Sequence, residues 1–582
     1  MDRTNRNTAL CSALCEEMAR SGLRKAIICP GSRSAPLALA LERNPSIDCH
    51  VVLDERSAGF QALGIAMASG VPVAILTTSG SAAANLHPAV VEADEADVPL
   101  ILLTADRPPE LRDIGAGQTI DQIKLFGDAV RWFAEVGTHE ADDTGLLHLR
   151  SIGCRAYSQA LGDPRPGPVH LNLAFREPLA PTPEPDGVTA TGELALDGRG
   201  AAPLSQLVSG SGELDPELIE EIASRVAASR RPLILAGLNR DGARTADAVA
   251  RFAEESGAPI LAEPTSQLRW GPHDRSRVVA GYDLIARSAP SDMTPDLVVR
   301  LGHMPTSKAL RTWISDTPGL VQIVLDAAGG WKEPTKTAEL MIRADALRVL
   351  DELAGRLAVL PERSEWCERW RAADEAVARE VTGALSIESP PSEPGLWLAL
   401  AQVLSDDDRV VCASSMPIRD LETFMPPGGP SVRFFSNRGA NGIDGQISTA
   451  LGVADECLGK TFAVMGDLAF AHDQGALAAV RDLPNLKLIV ADNQGGGIFD
   501  FLPVASMIER SEMEKLFTTP SGLEVGSLAE AHGIGVARPT STGELEASLI
   551  GSGQVIVIRT DRSENLELHR ALISKTGSLL ES

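Results

Sequence analysis

The residues with the most pointed chemistry sit where apolar runs end. TFAVMGDLAF closes a buried-strand pattern on Gly466-Asp467, and twenty-six positions after Asp467 the run LKLIVADN ends on Asn493, followed by Gln494-Gly495-Gly496-Gly497. A carboxylate, an amide oxygen and a backbone carbonyl left accessible by glycines make a hard-oxygen donor set. Such a set suits Mg²⁺, which usually shares its coordination with phosphate groups. In open parallel sheets ligands gather at the carboxyl ends of strands, where these residues lie. Asp467 alone suits a helix cap equally well; its pairing with the Asn-Gln-Gly-Gly-Gly turn points to a metal–diphosphate site. Glu55, in VVLDERSAGFQALGIA, opens a segment of helical spacing. It fits either a favourable helix N-terminus or a proton donor. Ser32 and Arg33 follow the apolar run Lys25–Cys29, and Arg107 follows Pro99–Ala105, so hydroxyl and guanidinium groups are available for anions at the same kind of edge.

The elements that must position these groups alternate along the chain. Lys25–Cys29, His50–Leu53, Pro72–Thr78 and Pro99–Ala105 are Val/Ile/Leu-rich runs of strand length. Glu55–Ser69 and Ser81–Ala96 lie between them with helical spacing. Strand–helix–strand alternation predicts a parallel sheet covered on both faces. It recurs at Pro232–Ala236, Pro259–Ala262, Leu297–Leu301 and Leu320–Leu325, then at Arg409–Ser414, Thr461–Met465, Leu486–Ala491 and Gln554–Arg559. A Pro/Gly/Thr/Ala-rich stretch interrupts it after Pro178, and a second break, SIESPPSEPG, lies at Ser386–Gly395. The expected fold is α/β: three doubly wound domains with parallel sheets. Their bounds are expected at 1–180, 213–385 and 386–582, with a linker over 181–212.

Composition narrows the classes. The chain has 582 residues, 44% of them hydrophobic, and a formal charge of −26. That acidity disfavours nucleic acid and anionic membrane surfaces, which reward a basic face. No apolar run of about 18 residues is present for membrane insertion. The start, MDRTNRNTALCSALCEEMAR, reads as an amphipathic helix rather than a secretory signal. The eight cysteines are scattered without a C-x-x-C pair, as expected of thiols in a reduced cytoplasm. Gly459-Lys460-Thr461 imitates the end of a phosphate loop, but Ala454 stands where its upstream glycine belongs.

The Gly-Asp and Asn-containing turn at this spacing resembles the thiamine diphosphate motif. Longer stretches narrow the resemblance: CPGSRSAPLALAL, LDERSAGFQALGIA, TTSGSAAANLHPAVVEA, ADRPPELRDIGAGQTIDQ, SSMPIRD, SNRGANGIDGQISTALG and DNQGGGIFDFLP. They are similar to the synthase family that makes 2-succinyl-5-enolpyruvyl-6-hydroxy-3-cyclohexene-1-carboxylate in menaquinone biosynthesis, most weakly over the middle domain. The resemblance implies decarboxylation of 2-oxoglutarate on thiamine diphosphate and addition of the remaining four-carbon unit to isochorismate. It implies Mg²⁺ (or Mn²⁺) on Asp467, Asn493 and the Gly495 carbonyl, and Glu55 as the acid that protonates the cofactor's aminopyrimidine ring.

The same resemblance assigns Ser32, Arg33, Arg107 and Gln118 to the isochorismate side and brings in Lys308 from the middle domain. Ser415, Arg419 and Arg438 fall to the 2-oxoglutarate side, Ser415 also to the cofactor, and Ile443 becomes the apolar wedge that bends the cofactor. Gly117 and Ala309 depart from the pattern of many relatives, without touching a catalytic element. A homodimer or dimer of dimers, with sites shared between chains, is expected in the cytoplasm. The rivals are another thiamine diphosphate 2-oxoacid decarboxylase or carboligase, and a non-catalytic paralogue that kept the fold.

Overall fold

The computed structural model describes residues 1–162, 164–208, 214–288, 290–357, 361–385 and 390–581. The ends of the expected linkers at 209–212 and 386–389 lie outside the described residues, as do the boundaries drawn there. Contacts divide the chain into two compact units, Met1–Ser211 with Asn437–Glu456, and Gly212–Ser436 with Cys457–Ser582.

The first unit holds a six-stranded sheet: β1 (Lys25–Ile28), β2 (Asp48–Val51), β3 (Val73–Thr77), β4 (Leu100–Asp106), β5 (Trp132–Glu135) and β6 (Pro168–Ala174). Their order across the sheet is β2-β1-β3-β4-β6-β5, and the ladders are parallel. Every residue of β3, β4 and β6 is buried. That is the signature of a parallel sheet covered on both faces, and it explains why VAILT and LILLTAD read as unbroken apolar runs.

The second unit carries two more parallel sheets. One contains β7 (Pro232–Ala236), β8 (Ile260–Ala262), β9 (Val278–Val279), β10 (Leu297–Leu301), β11 (Val321–Leu325) and β12 (Leu340–Ile342), ordered β12-β11-β10-β7-β8-β9. The other contains β13 (Arg409–Cys412), β14 (Arg433–Phe435), β15 (Thr461–Gly466), β16 (Leu486–Asp492), β17 (Val536–Ala537) and β18 (Val555–Arg559), ordered β14-β13-β15-β16-β18-β17. The α/β class with three parallel sheets is therefore present. One core joins the two sheets of this unit, with Leu233, Leu235 and Val298 in the same cluster as Phe462, Val464, Ile489 and Ile556. Polar bonds fix the same junction: Gln267 Nε2 donates to the Phe434 carbonyl at 2.7 Å, and Arg269 Nη1 donates to the Glu422 and Met425 carbonyls at 2.8 and 2.9 Å.

Two local features matter for the site. Helix Glu55–Ser69 starts because the Asp54 side chain accepts from the Arg56 and Ser57 N–H groups, and it stops at Gly70 with φ 75°. The stretch Ser81–Ala96 forms two helices, Ser81–Ala84 and His87–Glu95, rather than one. Pro88 has no N–H for a continuous ladder but suits the first turn of a new helix. Helix Gln446–Asp455 packs on Glu55–Ser69 through two glycines. A Cβ on Gly64 would lie 2.1 Å from the Thr449 carbonyl oxygen, and one on Gly452 would lie 2.1 Å from that of Gln61.

Candidate active site

At the carboxyl end of β15, Asp467 begins helix Asp467–His472 and is buried. Its carboxylate accepts the Leu468 and Gly495 backbone N–H groups; burial, and next the neighbouring Asp492 carboxylate, push it up to about 7. Asp492 is otherwise engaged, by Arg559 at 2.6 Å and by the Gln494 N–H at 3.2 Å. Asn493, past the adjacent strand β16, donates through Nδ2 to Glu393 Oε1 at 2.9 Å, while its buried Oδ1 has no partner. Glu393 also accepts from Thr560 Oγ1 at 3.0 Å, and burial raises its carboxyl above the usual range. Gly495 has φ 140°, and a Cβ there would sit 2.6 Å from the Thr518 carbonyl oxygen, so only glycine fits. Its carbonyl accepts the Gly497 N–H at 2.9 Å, which leaves a second lone pair.

These donors fit a hard cation with phosphate ligands. One buried carboxylate, one unpaired amide oxygen and one turn carbonyl cover only part of a coordination sphere. Among the described residues no group of three or more His, Cys, Asp or Glu is arranged to hold a metal by itself. The remaining ligands would come from the bound diphosphate.

A second cluster lies at the carboxyl edge of the first unit's sheet. Gly31 brings the loop after β1 against the loop after β3, since a Cβ there would meet Thr78 Cβ at 2.3 Å. Ser32 is exposed, and the partly buried Arg33 donates to the Phe175 carbonyl at 2.9 Å. Arg107 follows β4; its guanidinium donates to Ser79 Oγ at 2.5 Å and to the Gly117 carbonyl at 3.1 Å. Gln118, with φ 55°, closes the cluster: its Nε2 donates to the Ser79 carbonyl at 3.1 Å, and its carbonyl accepts from Ser79 Oγ at 2.9 Å. Burial, and then the Arg107 charge, pull the Arg33 guanidinium down, with Glu177 and Asp106 opposing. Two cations held this close make an anion-seeking edge on an acidic chain. The structure thus brings together Ser32, Arg33, Arg107 and Gln118.

Glu55 is half-buried at the start of its helix, next to Asp54 and near the buried Cys29. Burial first, and the Glu55 and Asp54 charges next, push the Cys29 thiol up. Arg438 and Ile443 belong to the same unit, on the segment that ends in helix Gln446–Asp455. Glu92 anchors that segment by accepting the Gly439 and Ala440 N–H groups at 2.7 and 2.6 Å. Ile443 is 36% exposed. The second unit holds the other candidates. Ser415, in the turn after β13 with φ 77°, accepts through its carbonyl from the exposed Arg419 at 2.5 Å. Lys308 is exposed at the start of helix Lys308–Ser315. Asp283 ties that helix to Met416–Phe424, accepting from Ser307 Oγ at 2.5 Å and Thr423 Oγ1 at 3.0 Å.

Among known proteins, residues 9–125 match the family model described as thiamine pyrophosphate enzyme, N-terminal TPP binding domain, a span that contains Ser32, Arg33, Glu55, Arg107 and Gln118. The chain is 38% identical to the 2-succinyl-5-enolpyruvyl-6-hydroxy-3-cyclohexene-1-carboxylate synthase of Myxococcus xanthus, over 99% of this chain and 98% of that protein. It is 40% identical to the synthase of that name from Geobacillus kaustophilus, over 96% of each. The chain belongs to this synthase family. It is a thiamine diphosphate enzyme, and a relative of the same name from Halobacterium salinarum is 39% identical over 94% of each chain.

Residue-by-residue reading from the sequence did not single out Ser79 or Gln122. Ser79 is the hinge of the arginine cluster, and Gln122 Oε1 accepts the Gly80 N–H at 2.9 Å. Both are buried polar side chains in glycine-containing segments. The signal available in the sequence was Gly80, a glycine just past an apolar run, and the structure gives it φ 88°.

Proposed function

We propose that this member of the synthase family decarboxylates 2-oxoglutarate and adds the four-carbon remainder to isochorismate. The products are CO₂ and 2-succinyl-5-enolpyruvyl-6-hydroxy-3-cyclohexene-1-carboxylate, for menaquinone biosynthesis in the cytoplasm. The observation that carries this reading is Asn493 Oδ1. A buried polar atom without a partner costs about 1–3 kcal/mol. Such an atom, just past the strand next to the one that ends at Asp467 and beside the glycine turn at Gly495, is what a bound cation would complete.

Asp467, Asn493 and the Gly495 carbonyl would hold Mg²⁺ or Mn²⁺ and, through it, the diphosphate of the cofactor. Thiamine diphosphate, when bound, would supply a nucleophilic carbon that adds to the 2-oxo group and a cationic ring that takes up the electron pair released as CO₂ leaves. Glu55 would hold a proton toward the cofactor's pyrimidine ring, and Ile443 would offer the cofactor an apolar surface. Ser415, which would also hold the cofactor, would join Arg419 and Arg438 in taking the carboxylates of 2-oxoglutarate. Ser32, Arg33, Arg107, Gln118 and Lys308 take those of isochorismate. Charge-assisted and bidentate bonds of this kind are roughly twice as strong as neutral ones, which suits two dianionic substrates. We further place the enzyme in a homodimer or a dimer of dimers with sites shared between chains; Val51 and Leu53, 70% and 84% exposed shortly before Glu55, support an apolar partner surface there. Among the described residues no helix is long and apolar enough to cross a membrane.

Product analysis tests the reading. Incubation with 2-oxoglutarate, isochorismate, thiamine diphosphate and Mg²⁺ should yield CO₂ and the adduct by mass spectrometry. Release of CO₂ with succinic semialdehyde alone would favour a simple decarboxylase.

A further inference from the structure

A polar stripe crosses the covered sheet of the first unit just behind the arginine cluster. Thr104 on β4, Asn172 on β6 and Glu135 on β5 are in register across three neighbouring strands. His170 and Asn172 share one face of β6, as alternate residues must. Thr104, His170 and Asn172 are fully buried among the apolar residues of β3, β4 and β6. Nothing in the chemistry above uses them.

Asn172 is completely satisfied. Its Nδ2 donates to Asp106 Oδ2 at 2.9 Å and to Glu135 Oε2 at 2.6 Å. Its Oδ1 accepts from Thr104 Oγ1 and from Gln122 Nε2, both at 2.9 Å. Two donors and two lone pairs are all that an amide has. The two carboxylates also fix which end is nitrogen, because an oxygen there would face them without a proton.

From Asn172 the bonds run outward in both directions and meet. Asp106 Oδ1 accepts the Arg107 N–H at 2.7 Å, and Arg107 donates to Ser79 Oγ. Ser79 is followed in the chain by Gly80, whose N–H donates to Gln122 Oε1, and Gln122 returns to Asn172. Asn172, Asp106, Arg107, Ser79, Gly80 and Gln122 therefore form a closed ring. One arc of it is the anion-binding edge, and the opposite arc is buried in the sheet.

We propose that Asn172 is a positioning residue for the acceptor substrate, setting the Arg107 guanidinium and the Ser79–Gly80 turn through Asp106 and Gln122. The inference rests on the reading that this edge receives isochorismate. Asn172 touches no substrate itself; its amide determines where the cation and the turn stand.

The test is Asn172→Asp, which keeps the shape and removes both donors. The charged and titratable groups around it are Asp106 and Glu135, the Arg112 guanidinium that pairs with each of them at 2.8 Å, and the buried neutral His170. Once ionised, the introduced carboxyl would face two carboxylates, whereas its protonated form would restore a single donor. The Michaelis constant for isochorismate should rise roughly tenfold or more near pH 8 and recover toward the wild-type value as the pH falls to about 6, since like charges raise a carboxyl pKa. That for 2-oxoglutarate should change less than about twofold at either pH, as expected of a loss confined to one binding edge. Gln122→Met breaks the ring at its opposite side and should move the isochorismate constant in the same direction without the pH recovery. It keeps the inference testable should Asn172→Asp fail to fold. Equal changes for both substrates, or an unchanged isochorismate constant in a folded variant, would overturn the positioning role while leaving the two-substrate reaction intact. A wild type that makes no adduct would remove both readings together.

Discussion

Replacing Gly452 by Ala should destabilise the protein, although the same change in most helices stabilises it. In an open helix interior Ala is favoured over Gly by roughly 1 kcal/mol. At Gly452 the new methyl would lie 2.1 Å from the Gln61 carbonyl oxygen and 2.7 Å from the Ile65 nitrogen, and both are backbone atoms of helix Glu55–Ser69. Real Cβ contacts essentially never fall under 3.0 Å, so the two helices must part by close to the difference. Overpacking of this kind costs about 1–3 kcal/mol. Because the atoms met are backbone and cannot rotate aside, the cost falls in the upper half of that range, about 2–3 kcal/mol, and the net loss after the propensity gain is about 1–2 kcal/mol. In a unit of about 230 residues that lowers its melting transition by roughly 2–8 °C. Differential scanning calorimetry on the holoenzyme measures it. Gly383, in a helix and with nothing within 4 Å of where a Cβ would stand, is the matched control, and Gly383→Ala should be neutral or slightly stabilising. Turnover should fall with Gly452→Ala as well, because the shifted helix is continuous with the segment that carries Arg438 and Ile443. A Gly452→Ala protein as stable as wild type would refute the close helix crossing.

Four further outcomes follow from the site. Asp467→Ala should abolish metal-dependent binding of thiamine diphosphate, and calorimetric titration with undiminished affinity would remove Asp467 from the metal site. Arg33→Ala and Arg107→Ala should raise the Michaelis constant for isochorismate more than that for 2-oxoglutarate, and Arg419→Ala and Arg438→Ala the reverse, each by about 1.5–3 kcal/mol of binding; kinetics with one substrate varied at a time decide it. Glu55→Gln and Asp467→Ala chains, each inactive alone, should recover roughly a quarter of wild-type activity when co-expressed, because one site of each mixed dimer collects neither lesion. No recovery would place both residues in one chain's site. Burial holds His170 down to about 3, so the unfolded chain binds the extra proton below its ordinary value of about 6.5 and stability is lost as the pH falls from there. His170→Gln should lose less melting temperature than wild type between about pH 7.5 and about pH 5.

Twelve strands were legible as compact apolar runs, and their observed limits differ by a residue or two at the ends. Among those that were not, β9 and β17 are two residues long, and β12 and β14 are three-residue edge strands too short to show a pattern. β6 is different: it is central, seven residues long and buried throughout. Its sequence, PVHLNLA, breaks the apolar run with His170 and Asn172. The same two residues that hid the strand belong to the buried polar stripe. A buried amide is tolerated in a sheet only when each of its hydrogen-bonding groups is matched, and the matching partners of Asn172 Oδ1 lie 50 and 68 positions away in sequence. No local window contains them. By contrast, the places of Asp467 and Asn493 just past strand ends were readable, because each depends only on its own strand. The attachment of residues 437–456 to the first unit was also out of reach, since it depends on Gly64 and Gly452 meeting across a long stretch of intervening chain.

Strand order ties these observations together. The first and third sheets are wired alike, β2-β1-β3-β4-β6-β5 and β14-β13-β15-β16-β18-β17, so each reverses direction between its first and third strands. At such a switch point the loops leaving two neighbouring strands diverge to opposite faces and open a crevice at the carboxyl edge. In the first sheet those loops carry Ser32 and Arg33 after β1 and the Ser79–Gly80 turn after β3, with Arg107 next along after β4. In the third they carry Ser415 after β13 and Asp467 after β15, with Asn493 next along after β16. The correspondence is positional, strand for strand, while the chemistry is opposite: cations in one crevice, oxygen donors in the other. The middle sheet, ordered β12-β11-β10-β7-β8-β9, has a different wiring and contributes one candidate, Lys308, from the helix after β10. A chain with a net charge of −26 can therefore carry a local basic edge, because the wiring places Arg33 and Arg107 at one crevice whatever the average charge elsewhere.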